Sequence, residues 1–175
     1  MFMREINGYA ESAHNRRKKL MKYKIAFVCV HNSCRSQMAE GWAEKLGGDL
    51  FEAYSAGTQE YPQVKPLAMQ VMEEAGVDMS GHRPKLINDI PNKLDILITM
   101  GCNVTCPYIP NQLTEDWGIT DPSEKGIAAY RKTRDEIKTK IQDLIQRITE
   151  GTLRLSNPEK TVDFTTGFVG DGHDR

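Results

Sequence analysis

The chain has 175 residues, 39% of them hydrophobic and 27% charged, with 23 lysines and arginines against 24 aspartates and glutamates and a formal net charge of -1. That composition fits one globular domain and leaves no overall basic field to hold a nucleic acid backbone. No apolar run approaches the roughly 20 residues of a membrane span, and Arg4, Glu5, Glu11, Arg16, Arg17, Lys18 and Lys19 have no apolar stretch behind them, so neither a signal peptide nor a spanning helix is expected.

Residues 1–22 are polar and charged and are expected to form a peripheral extension. Lys24–Val30, KIAFVCV, is a short apolar run rich in β-branched and aromatic residues, the pattern of a strand buried on both faces. Ser36–Leu46 then sets Met38, Trp42 and Leu46 four apart, with Ala39 and Ala43 alongside, predicting a helix that Gly47 and Gly48 stop. A second strand is expected over Leu50–Ser55. A second helix follows over Lys65–Ala75, with Pro66 in its first turn and Gly76 after its end. Leu94–Met100 predicts a third buried strand, Glu115–Thr120 a short fourth, and Ile127, Tyr130, Ile137, Ile141, Leu144, Ile145 and Ile148 a long amphipathic helix over Gly126–Glu150. Alternation of strands and helices predicts an α/β fold, a doubly wound parallel sheet flanked by helices, with residues 23–150 as its domain and 151–175 as a tail.

Four cysteines, at 29, 34, 102 and 106, are too few for a disulfide scaffold and read as chemistry in a reducing cytoplasm. The first pair lies in Cys29-Val30-His31-Asn32-Ser33-Cys34-Arg35-Ser36, between the first strand and the first helix. A loop in that position turns successive backbone N–H groups inward, where the helix dipole also favours an anion, so it can cradle a tetrahedral oxyanion. Arg35 can hold two oxygens through its planar fork. Cys29, facing amide dipoles and a guanidinium, is favoured as the nucleophilic thiolate. The cysteine spacings also fall near those of structural zinc ligands, but Arg35 beside the ligands would repel the ion, and a closed site would bury the nucleophile.

With this loop, and with Asp121-Pro122 late in the chain, the sequence resembles the low-molecular-weight tyrosine phosphatase superfamily, and within it the arsenate reductase branch, over about residues 22–150. The resemblance implies a flavodoxin-like, four-stranded parallel sheet flanked by helices. It makes Cys29 the nucleophile, Arg35 the oxyanion ligand and Asp121 the general acid. The loop residues His31, Asn32, Ser33, Cys34, Arg35 and Ser36 would bind the substrate, with Asn32 tolerating a strained conformation, Ser36 stabilising the thiolate and Cys34 packing. Arsenate is the implied substrate, with phosphate or sulfate as analogues.

The branch rests on Cys102-Asn103-Val104-Thr105-Cys106-Pro107, which follows the third strand and so belongs to the same sheet rim as Cys29. Reducing arsenate leaves two electrons' worth of oxidised sulfur on the protein, and a disulfide holds it. The implied relay passes from Cys29 to Cys102 and then to Cys106, with thioredoxin or another thiol as the external reductant and no tightly bound cofactor. A tyrosine phosphatase is the alternative, though Ser123 and Glu124 after Asp121-Pro122 suit a small inorganic ion better than a phenyl ring. Two departures from the family pattern stand out. His31 replaces a glycine of the phosphatase relatives, so the backbone there has to accept a side chain, whose ring can sit at the loop rim. The Cys102–Cys106 spacing is also shorter than in thioredoxin-coupled reductases. Some relatives bind potassium near the loop; Arg83 and Lys85 fall in that region and disfavour a cation, so no metal is expected.

Overall fold

A computed structural model of the chain describes residues 22–101 and 108–155. In chain order the elements are β1 (Tyr23–Cys29), α1 (Arg35–Gly47), β2 (Phe51–Gly57), α2 (Pro66–Glu74), a 3-10 turn (Ile87–Asp89), β3 (Ile96–Thr99), β4 (Leu113–Asp116) and α3 (Ile127–Thr149). The strands form one parallel sheet in the order β2-β1-β3-β4. β1 therefore lies inside, with a neighbour on each side, which is why its sequence is apolar at consecutive rather than alternate positions. Ile25, Phe27 and Cys29 belong to the larger core, whereas Ala26 and Val28 belong to a smaller one on the opposite face.

All three helices contribute to the larger core, through Met38 and Trp42 of α1, Val71 and Met72 of α2, and Tyr130, Ile137, Ile141 and Leu144 of α3. The Trp42 indole N–H donates to the Arg134 carbonyl at 3.1 Å and so ties α1 to α3. Among the described residues the opposite face is covered without an α-helix, by Ile87, Ile90, Leu94 and Ile109. Leu153 and Leu155 pack against the larger core beyond the end of α3.

Two details differ from expectation. Leu46 is exposed, because steps of four residues advance about 400° around a helix and a Met38–Trp42–Leu46 row drifts off the buried face. The fourth strand is Leu113–Asp116 rather than Glu115–Thr120. Trp117 and Ile119 are buried as expected of strand residues, but Gly118 between them turns to φ +58° and ends the extended backbone. Trp117 instead packs its ring on Phe27, with centroids 5.7 Å apart.

The register places the functional end of the sheet. Cys29 pairs with Gly57, Val28 with Thr99 and Thr99 with Asp116, so the carboxyl ends of all four strands form one rim. The chains leaving β3 and β4 stay paired beyond the strands: Trp117 donates to Thr99 at 2.9 Å and Ile119 to Met100 at 3.0 Å. Gly101, at φ +81°, permits this approach, since a Cβ there would lie 2.6 Å from the Gly118 Cα.

Arg147 of α3 clamps the outer strand with bonds of 2.6 and 3.1 Å to the two oxygens of Glu115. That bond, helped by the Trp117 indole against the opposing effect of burial, holds the Glu115 carboxyl below its ordinary range. A carboxyl depressed on folding adds stability above its unfolded value and loses it as the pH falls through the folded one. Arg147→Met should therefore lower stability by about 1–2 kcal/mol at neutral pH, and the gap to wild type should close below about pH 4, as read by urea denaturation across that range.

Candidate active site

The loop between β1 and α1 wraps around the Cys29 sulfur. The Asn32 amide donates to Sγ at 3.2 Å, and the Ser36 hydroxyl oxygen lies 2.9 Å from it. Asn32 Nδ2 donates to that same Ser36 oxygen at 2.8 Å, which leaves the Ser36 hydroxyl hydrogen to point at the sulfur. Both contacts suit a thiolate acceptor. Asn32 takes φ +51°, a left-handed conformation that asparagine tolerates better than most residues.

Asn32 is fully buried and held from three directions. Gln37 Nε2 donates to its carbonyl at 3.1 Å and to its Oδ1 at 2.9 Å, and the Lys85 amide donates to Oδ1 at 2.9 Å. Gln37 is anchored in turn by its 2.8 Å bond to the Arg83 carbonyl and by His82 at 3.0 Å. Asn32 and Ser36, expected among the substrate-binding residues, thus turn their side chains behind the loop and support it. Val30, His31, Ser33, Cys34 and Arg35 line the cleft in front. His31 is exposed at the loop rim, its ring 5.1 Å from that of Tyr61, and the left-handed residue is its neighbour Asn32.

Arg35 is fixed by donating Nη1 to the carbonyls of Ile119 at 2.7 Å and Met100 at 3.1 Å, the two chains that leave β4 and β3 together. Its Nη2 lies 3.9 Å from Asp121. Burial raises the Asp121 carboxyl, but the hydrogen bonds from Ser123 and the charges of Arg35 and Lys65 outweigh it and hold the group below the usual carboxylate value. Cys34 has the opposite environment. Burial, then Asp121 and Cys29, push its thiol up to about 12, which fits a packing residue.

The cleft has a volume of about 250 Å³ and brings together Cys29, Cys34, Arg35 and Asp121 with Ser123, read from the sequence as part of a polar mouth, and with Tyr61 and Lys65, which the sequence reading did not assign to the site. Gln37 was also missed. Its signal was a polar residue on the inward face of α1, where Glu40 is also buried. Lys65 offered only an oddity, a lysine before a proline at a helix start.

The neighbouring polar cluster does not fit a potassium ion. The Lys85 ammonium already occupies it, 3.3 Å from Glu40 Oε2, 3.4 Å from Ser55 Oγ and 3.1 Å from the Arg83 carbonyl, while the Ser55 hydroxyl also bonds Glu40. Cys102 and Cys106 lie outside the described residues; Gly101, just before them, stands at the rim beside the chain that carries Asp121. Cys29 and Cys34 are both free thiols.

Residues 24–153 match the low molecular weight phosphotyrosine protein phosphatase family. The chain is 42% identical over 130 residues to arsenate reductase 2 of Staphylococcus haemolyticus, covering 72% of this chain and 98% of that protein. Its structure is similar to that of an arsenate reductase in the phosphate-binding state, with a TM-score of 0.68 and 37% identity over 73% of this chain and 99% of the other. It is also similar to the thioredoxin-dependent arsenate reductase of Corynebacterium glutamicum, with a TM-score of 0.63 and 27% identity over 82% of this chain and 73% of that one.

Gly57 is the point where β2 presses on the loop: a Cβ there would meet the Val30 carbonyl oxygen at 2.7 Å and the Asn32 nitrogen at 2.9 Å. Both are backbone atoms and cannot swing aside. Gly57→Ala should lower stability by about 1–3 kcal/mol and weaken orthophosphate binding by at least tenfold, measured by calorimetric titration of the folded variant.

Proposed function

The chain belongs to the low molecular weight phosphotyrosine protein phosphatase family and is an arsenate reductase within it, and from that premise we propose which of its residues carry out the reduction. The observation that carries the assignment is a buried thiol at the base of an oxyanion loop, facing a guanidinium and a carboxylate across one small cleft. Cys29 thiolate attacks the arsenic of an arsenate held by the loop amides and Arg35. An arsenic–oxygen bond breaks, and the departing oxygen takes a proton from Asp121 and leaves as water. Asp121 is ionised in the empty cleft, so it takes its proton from solvent as hydrogen arsenate enters, the incoming negative charge raising its affinity. The departing hydroxyl of hydrogen arsenate needs only that one proton to leave as water.

Cys102 then attacks Cys29 Sγ. The sulfur–arsenic bond breaks with its electron pair remaining on arsenic, arsenite departs, and a Cys29–Cys102 disulfide remains. Cys106 attacks Cys102, freeing Cys29 as a thiolate and leaving a Cys102–Cys106 disulfide for an external dithiol. Thioredoxin is the reductant we propose, supported by the likeness to a thioredoxin-dependent enzyme. A chemistry that has to restart from reduced thiols supports a cytoplasmic location.

The direct test is arsenite formation from arsenate with thioredoxin, thioredoxin reductase and NADPH, beside hydrolysis of p-nitrophenyl phosphate by the same preparation. Ester hydrolysis without arsenite would reverse the assignment in favour of a phosphatase. Cys106→Ser should complete about one turnover and stall as a Cys29–Cys102 disulfide, located by peptide mapping; sustained cycling at the wild-type rate would exclude the three-cysteine relay. Asp121→Asn should reduce kcat by about 10²–10⁴ with little change in KM, as the loss of a proton donor at the leaving oxygen requires.

A further inference from the structure

Charge bookkeeping in the cleft leaves a deficit. Before any substrate enters, Arg35 faces two groups that carry negative charge in the reaction, the Cys29 thiolate and the Asp121 carboxylate, the latter 3.9 Å away. A doubly charged oxyanion adds two more negative charges; the loop amides offer partial charges only, and the guanidinium of Arg35 also donates to two backbone carbonyls. Among the described residues the cleft wall holds one further cation, Lys65.

Its position is built rather than incidental. The Lys65 amide donates to the Ser33 carbonyl at 2.8 Å, which ties its backbone to the oxyanion loop itself. Pro66 restricts the preceding residue to extended backbone, and Lys65 takes φ -58° and ψ 128° accordingly. Its ammonium rests over the Tyr61 ring, 4.9 Å from the centroid, and Tyr61 is itself a cleft residue packed on His31. Among the described residues no carboxylate comes within ion-pair distance of it. The nearby Tyr61 hydroxyl raises the pKa of the ammonium, which is therefore charged throughout the working range.

The residue also breaks a local rule. Lys65 is the N-cap of α2, where a side-chain oxygen would cap a backbone N–H and a positive charge opposes the helix dipole; Lys65 makes no such bond. Local sequence preference does not account for a lysine here, whereas a substrate anion does.

We propose that Lys65 is the second cation of the substrate site, reaching from the Tyr61 ring to the bound oxyanion opposite Arg35 and setting the preference of the cleft for doubly charged tetrahedral anions. This rests on the reading of the loop as the oxyanion site. Binding spreads the substrate charge over two cations and keeps Asp121 from repelling the incoming ion. It also makes Lys65 a catalytic residue in the strict sense, since it touches substrate, although its main effect is on KM.

Orthophosphate, an unreactive tetrahedral ion, is the probe, titrated into the reduced full-length chain in mildly alkaline buffer, where its dianion dominates, and in mildly acidic buffer, where the monoanion does. Lys65→Met, which keeps the apolar stem and removes the charge, should weaken phosphate binding about tenfold in alkaline buffer and no more than about threefold in acidic buffer. It should raise KM for arsenate about tenfold with kcat changed less than about threefold, and Lys65→Arg should restore most of the loss. In wild type, phosphate should protect Lys65 from reductive methylation, read by mass spectrometry, which tests the contact without any variant. Unchanged phosphate affinity in folded Lys65→Met, an equal loss in both buffers, or no protection of wild-type Lys65 would each overturn the proposal while leaving the loop assignment intact. Failure of wild type to bind phosphate at all would overturn the loop assignment and this proposal with it.

Discussion

The site depends on one buried residue, Asn32, whose left-handed backbone turns the loop around the Cys29 sulfur. Its side chain and carbonyl collect hydrogen bonds from α1 through Gln37 and from the segment before the 3-10 turn through Lys85, and it donates to Ser36. Each bond contributes about 1 kcal/mol net, but stranding any one of these buried groups costs about 1–3 kcal/mol, so the set holds together or fails together. Among the described residues no buried side-chain nitrogen or oxygen lacks a partner. The shape of the loop is thus enforced by polar side chains that lie behind it.

The same cleft separates two thiols that the sequence places in one loop. Cys29 ends a strand with an amide and a hydroxyl aimed at its sulfur, while Cys34 begins a helix, buried and facing Asp121. One has donors aimed at its sulfur, and burial keeps the other protonated. Arg35 adds a second layer of order, because its carbonyl partners come from the chains that leave β3 and β4. One of those chains carries Asp121 and the other leads in sequence to Cys102, so the guanidinium joins the loop to both chain segments.

Polar clusters around the site divide by burial into support and chemistry. Lys85, Glu40 and Ser55 form an internal ion pair and hydrogen-bond group behind the loop, with the lysine as its cation. Lys65, on the open side, rests on an aromatic ring instead of a carboxylate. The contrast between a lysine neutralised within the fold and a lysine left facing a cleft is what separates a structural cation from one available to substrate.

The sequence by itself determined the parallel α/β class, because buried strands and amphipathic helices leave distinct periodicities, and it determined the oxyanion loop, because Cys29 to Ser36 is contiguous and its geometry is local. His31 at the rim and Asn32 in a strained conformation were legible for the same reason. Tertiary structure alone decided where the fourth strand ends, since Gly118 turns the backbone out of the extended form between Trp117 and Ile119, and Trp117 is buried by packing on Phe27 of a distant strand. It alone also decided that Gln37, held by the Arg83 carbonyl and His82, braces the loop from behind, and that Lys65 stands in the cleft. These last are placements between segments tens of residues apart, which no local pattern records: they arise from strand register and from the packing of a whole sheet end, and only a folded chain has either.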